Sequence, residues 1–88
     1  MKMPVYTNQF KKDYKTVQKR GKDIDKLKAI VKAITNETPL PPNKKDHPLS
    51  GNYQSCRECH VEPDWLLIYE LLETEARFIR TGTHSDLF

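Results

Sequence analysis

Asp64-Trp65-Leu66-Leu67-Ile68-Tyr69-Glu70-Leu71-Leu72 is the stretch that decides the fold. Five successive large apolar side chains, Trp65 to Tyr69, leave no polar face, so an amphipathic surface helix does not suit them. The run is short for a helix and ordinary for a strand, and it reads as a central strand buried on both faces. Glu62-Pro63 marks a turn before it, and Asn52–Val61, which alternates its side chains, reads as the neighbouring strand. Glu73-Thr74-Glu75 makes the next turn, and Ala76–Thr81 is a third hairpin strand. Gly82 ends that strand and leaves Thr83–Phe88 as a tail.

Upstream the period changes. Val5-Tyr6 offers a short strand over Lys2–Thr7, and Asn8 can cap a helix by accepting from its first free N–H groups. Phe10, Tyr14 and Val17 recur at helical spacing, with Lys11, Lys12, Lys15 and Lys19 facing away, and Gly21 closes the helix. Asp23 caps a second helix, whose Ile24, Leu27, Ile30, Val31 and Ile34 form an apolar stripe up to Asn36. Both stripes are core packing. Three prolines in Thr38–Pro42 make a stiff connector, and Asn43–Gly51 stays a loop. The order β-α-α-β-β-β over residues 1–88 predicts one small α+β domain. Two N-terminal helices should pack on one face of an antiparallel sheet, leaving the other face open.

Net charge over the 88 residues is only +3, yet it is divided sharply. Residues 1–45 carry twelve basic and four acidic side chains, a balance of +8; residues 46–88 carry three and eight, a balance of −5. No lysine follows Lys45, and all three histidines do. The basic half suggests a polyanionic partner, and RNA is the favoured one. No apolar run approaches the roughly 20 residues of a membrane span. No signal peptide is legible behind Met1-Lys2-Met3-Pro4, so the expected location is the cytoplasm, with the two cysteines reduced.

Cys56-Arg57-Glu58-Cys59-His60 matches the spacing of c-type haem attachment. In a strand, however, positions i and i+3 face opposite ways, so both thiols cannot meet one haem edge. No metal and no cofactor is expected. The histidines carry more. His47 lies in a proline-held loop, His60 near a strand end with Asp64 across the turn, and His84 directly after the last strand. Ends and loops of a rigid scaffold are where catalytic groups collect. Imidazoles titrate near neutrality, so such a cluster suits metal-free RNA cleavage: one takes the 2′-OH proton and another protonates the leaving 5′-oxygen. Arg57 or Arg80 would stabilise charge on the phosphoryl oxygens. Phe88, or Trp65 if it is not core, would stack on a splayed base.

Three blocks then resemble a known family: Lys44-Lys45-Asp46-His47-Pro48-Leu49-Ser50-Gly51-Asn52-Tyr53, Cys59-His60-Val61-Glu62-Pro63-Asp64-Trp65-Leu66-Leu67-Ile68-Tyr69, and Arg80-Thr81-Gly82-Thr83-His84-Ser85-Asp86-Leu87-Phe88. In register, they resemble the YafQ branch of the RelE/ParE toxin superfamily. The resemblance implies a toxin of a bacterial type II toxin–antitoxin pair, a ribosome-dependent endoribonuclease that cuts mRNA in the A site. It implies His47, His60, His84 and Asp64 as catalytic residues, with Trp65 and Phe88 contacting or orienting the message. We nominate His84 as general acid, His47 or His60 as base, Asp64 as the group orienting an imidazole, and Arg80 as a phosphate contact. The helix lysines would grip ribosomal RNA. A DinJ-like antitoxin with an acidic segment would cover that surface. Two alternatives remain: a non-nucleolytic superfamily member that inhibits gyrase, and an RNA- or ribosome-binding module that needs the lysines but not the histidines.

Overall fold

A computed structural model describes all of residues 1–88. Its elements are β1 (Met3–Tyr6), α1 (Asn8–Lys19), α2 (Ile24–Thr35), β2 (His47–Pro48), β3 (Arg57–Glu62), β4 (Trp65–Leu71), β5 (Glu75–Gly82) and α3 (His84–Leu87). Single 3-10 turns lie at Pro42–Lys44 and Gly51–Tyr53. The strands form one sheet in the order β1-β5-β4-β3-β2, so the apolar run is the middle strand. Trp65, Leu66, Leu67, Ile68 and Tyr69 are all buried.

The helix boundaries follow from local chemistry. Thr7, one residue before the predicted Asn8, is the cap: its hydroxyl accepts from Phe10 N at 3.0 Å and donates to Ile79 O at 2.8 Å. Thr7 also ends the pairing of β1, so the strand passes into α1 without a loop. Gly21 adopts φ +82, with Gly21 N donating to Gln18 O and Lys22 N to Val17 O, a left-handed stop to α1. Asp23 caps α2 by accepting from Asp25 N.

Several expectations are corrected. The sheet is mixed, because β1 runs parallel to β5 while all other pairs are antiparallel. Strand β3 begins at Arg57, since Gly51–Tyr53 forms a turn and Ser55 sits at φ +77, outside extended backbone. The tail Thr83–Phe88 is structured. Thr83 Oγ1 accepts from Asp86 N, and Asp86 Oδ2 accepts from Thr83 N at 2.8 Å, a reciprocal cap on α3.

Each sheet face has its own core. Phe10, Val17, Leu27, Ile30 and Ile34 of the helices pack with Cys59, Val61, Trp65, Leu67, Tyr69, Ala76 and Phe78. On the opposite face Leu66 and Ile68 pack with Leu87, flanked by Leu49, Tyr53, Cys56 and Ile79. That second face, expected to be open, is therefore partly covered by α3 and the loop before β3. The register places Cys56 and Cys59 in different cores on opposite faces.

Trp65 is a core residue, 1% exposed, and its indole N–H donates to Thr81 Oγ1 at 3.0 Å. Thr81 passes its own hydrogen to Leu66 O at 2.7 Å. The placement of Trp65 as a base-stacking surface residue is thereby corrected. Thr81→Val keeps the shape but orphans a buried indole N–H. It should cost about 1–3 kcal/mol in a urea titration, and Thr81→Ser distinctly less.

Candidate active site

The polar groups gather on the face opposite α1 and α2. Along β3, Glu58 and His60 are two apart and so share a face. Strand β2 places His47 directly across from Glu58. The turn after β3 supplies Asp64, and the start of α3 supplies His84. Ring centroids are 6.5 Å apart for His47 and His60, and 5.9 Å for His60 and His84. The structure thus brings His47, His60, His84 and Asp64 together, as the sequence predicts, and adds Glu58.

Each imidazole is held by the same nitrogen. His47 Nδ1 lies 2.7 Å from Lys45 O, and His60 Nδ1 lies 3.2 Å from Pro63 O. His84 Nδ1 lies 2.6 Å from Asp64 Oδ1, which also accepts from His84 N at 3.0 Å. Carbonyls and carboxylates only accept, so Nδ1 carries the hydrogen in every ring and Nε2 is left for chemistry. Glu58 is 5% exposed. Its Oε1 lies 3.4 Å from His60 Nε2 and 3.6 Å from His47 Nε2, too long for committed hydrogen bonds. Glu58 was missed in the sequence, although its i, i+2 relation to His60 on a strand was there to find.

The other nominated residues divide. Phe88 is 64% exposed and stacks edge-on against Tyr53 at 5.6 Å. Arg80 donates Nε and Nη2 to the two oxygens of Asp13 in α1, both at 3.0 Å, which leaves only Nη1 clear of that carboxylate. Arg57 pairs with Asp46 and, opposite Tyr69 in register, belongs to the helix side of the sheet.

Charges brace the site from behind. Arg20, at the end of α1, grips Asp86 with both guanidinium nitrogens, and Lys22 and Lys26 share Glu62 beside the Pro63-Asp64 turn. Hydrogen bonds from the backbone and ring of His84 hold the Asp64 carboxyl below its usual range. Arg20, then the Thr83 N–H, do the same to Asp86. Burial pushes the Cys59 thiol up to about 12, so it stays protonated. Glu58, His60 and His84 each present a ligand atom within 4.8 Å of the others. One carboxylate and two imidazoles suit zinc or copper.

Comparison with known proteins decides the family. A family model described as "Bacterial toxin of type II toxin-antitoxin system, YafQ" matches residues 2–88. The chain belongs to this YafQ toxin family. The mRNA interferase toxin YafQ of Escherichia coli K12 is 52% identical over 84 residues, which is 94% of this chain and 91% of that protein. A chain of the E. coli DinJ–YafQ toxin–antitoxin complex superposes with a TM-score of 0.93 at 50% identity, covering 99% of this chain and 97% of that one. A metal-bound toxin from Helicobacter pylori superposes with a TM-score of 0.93 at 40% identity over the whole of both chains.

A carboxyl depressed on folding contributes stability that is full above its unfolded value, about 3.9 for Asp, and is lost as pH falls through the folded value. The Arg20–Asp86 pair therefore predicts a melting-temperature gap between wild type and Arg20→Gln. That gap should be constant above about pH 5 and close as pH drops below about 4.

Proposed function

We propose that residues 1–88 form one cytoplasmic toxin domain that cleaves mRNA in the ribosomal A site by acid–base catalysis, stopping translation. The observation that carries this reading is the set of three imidazoles sharing one face, each with Nδ1 tied back and Nε2 free. In the proposed reaction the 2′-oxygen attacks the adjacent phosphorus and the bond to the 5′-oxygen breaks, leaving a 2′,3′-cyclic phosphate and a 5′-hydroxyl. His60 Nε2 takes the 2′-OH proton, and the nearby Glu58 carboxylate stabilises the imidazolium that results. His84, oriented by Asp64, delivers a proton to the departing 5′-oxygen. His47, facing the same Glu58 oxygen, closes the site beyond His60. Arg80 offers Nη1 to a phosphoryl oxygen while Asp13 holds the rest of its guanidinium. The exposed Phe88 ring stacks on or orients a base.

Lys11, Lys12, Lys15 and Lys19 of α1 and Lys28 and Lys32 of α2 make no ion pair with any of the chain's acids. They serve as the ribosomal-RNA contact. Lys11, Lys15, Lys28 and Lys32 also rim a groove of about 690 Å³ floored by Tyr6, Phe10, Tyr14, Leu27 and Val31. An apolar floor with a basic rim suits an acidic amphipathic segment of a DinJ-like antitoxin. The relatives' names support this reading: E. coli YafQ is called an mRNA interferase toxin, and it occurs in a complex with DinJ. Copper or zinc held by Glu58, His60 and His84 would occupy the proton-transfer groups.

Primer extension on mRNA-programmed ribosomes tests the activity. Wild type should generate new 5′ ends within the A-site codon, at a rate unchanged by a transition-metal chelator that leaves Mg²⁺ in place and suppressed by added Cu²⁺. His84→Ala should lower that rate by about 10²–10⁴-fold, the usual contribution of a positioned acid. No cleavage by wild type would overturn the reading, and abolition by a transition-metal chelator at constant Mg²⁺ would overturn its metal-free chemistry. Lys15→Glu with Lys28→Glu should weaken antitoxin binding in calorimetry while leaving the fold's circular dichroism intact.

A further inference from the structure

We infer that the side-chain cluster Tyr69–Asp46–Arg57, on the sheet face away from the proposed chemistry, positions His47, so that Asp46 is a positioning residue for message cleavage. This role presupposes the ribonuclease activity proposed above; the geometry it acts on does not. Strand β2 is two residues long, lies at the edge of the sheet, and pairs His47 with Glu58 and Pro48 with Arg57, with one further bond from Leu49 N to Cys56 O at 2.9 Å. An edge strand this short has a neighbour on one side only, so backbone pairing alone holds His47 weakly. The segment before it is a 3-10 turn ending at Lys45, whose φ of 51 and ψ of 42 are left-handed.

Side chains supply what the ladder lacks. A single oxygen, Asp46 Oδ1, accepts from Tyr69 Oη at 2.7 Å and from Arg57 Nε at 3.1 Å. Tyr69 belongs to the central strand, is 2% exposed, and packs in the helix-side core, so its ring is a fixed post. Burial, and then Asp46 itself, push its hydroxyl well above the usual range, which keeps it a donor. The chain alternates at this point: Asp46 meets Tyr69 and Arg57 on the helix side, while His47 meets Glu58 and His60 on the other. With Asp46 pinned, the Lys45 carbonyl stands 2.7 Å from His47 Nδ1 and sets the tautomer. Released, the two-residue strand would let the ring swing from Glu58.

The test uses the intact toxin on programmed ribosomes under single-turnover conditions, together with imidazole ¹⁵N spectra of the free protein. Asp46→Ala should lower the saturating cleavage rate by about 10–10²-fold, the effect of displacing a site residue by about 1 Å, with the half-saturating ribosome concentration unchanged. Asp46→Asn keeps an oxygen acceptor and should recover most of that loss. Tyr69→Phe, which keeps the buried ring, should fall between the two. In a His47→Ala background Asp46→Ala should have no further effect, whereas a merely structural role would multiply the two losses. In the spectra, Asp46→Ala should turn the single Nδ1–H form of His47 into a tautomer mixture, with His60 and His84 unmoved. Multiplicative losses, or an unchanged His47 spectrum, would overturn the proposal. If wild type cuts no message, the ribonuclease reading falls and the His47 spectrum alone decides whether Asp46 holds the ring.

Discussion

The Asp13 carboxylate is the contact on which the rest of the molecule is arranged. It is 7% exposed and accepts four hydrogen bonds: from Gln9 Nε2, from Arg80 Nε and Nη2, and from Thr81 N. Burying a carboxylate is expensive unless every lone pair is used, and here each oxygen has two partners. Its place explains its use. Strand β1 pairs with β5 only as far as Phe78, so beyond that point the outer edge of β5 has no neighbouring strand. Asp13 takes the Thr81 N–H there and ties α1 to the same edge. Thr81, so fixed, receives Trp65 Nε1 and donates to Leu66 O, locking the end of β5 to the start of β4. One residue later a Cβ on Gly82 would lie 2.8 Å from Asp86 Oδ2, so glycine is what lets the chain close onto the cap of α3. His84 opens that helix. A residue on the first helix thus governs where the proposed acid stands.

The charge split along the chain has two jobs, not one. Read from sequence, the basic half is a surface for RNA. In the fold, Arg20 reaches Asp86, and Lys22 with Lys26 reaches Glu62, so part of the basic half braces the segments that carry His84 and Asp64. Exposed ion pairs contribute little stability. Their effect is geometric: they hold a single-turn helix and a two-residue turn that have little core of their own. The unpaired lysines on α1 and α2 remain free for a polyanion.

What was legible followed from periodicity. The central strand, both long helices and the strands on either side of it announced themselves by runs and spacings that span most of each element. The direction of β1 did not, because four residues at a sheet edge have no pattern that says which neighbour they will meet. Nor did α3, whose four residues are too few for a helical period; its signal was the Thr83…Asp86 spacing of a reciprocal cap. The histidines and Asp64 were legible as a cluster because they lie where elements end. Trp65 was ambiguous from sequence, since an indole at the head of an apolar strand suits either core or surface. Asp13 was invisible: among α1 lysines it reads as a solvated acid, and its partner Arg80 is 67 residues away.

The most direct measurement of the proposed chemistry replaces the leaving oxygen. A message with sulfur bridging at the 5′ position of the scissile phosphate expels a thiolate, which needs no proton from the enzyme. If His84, held by Asp64, is the general acid, His84→Ala should cleave this message on the ribosome at close to the wild-type rate while remaining defective on the ordinary one. An equal defect on both messages would contradict the assignment and place His84 in some other role.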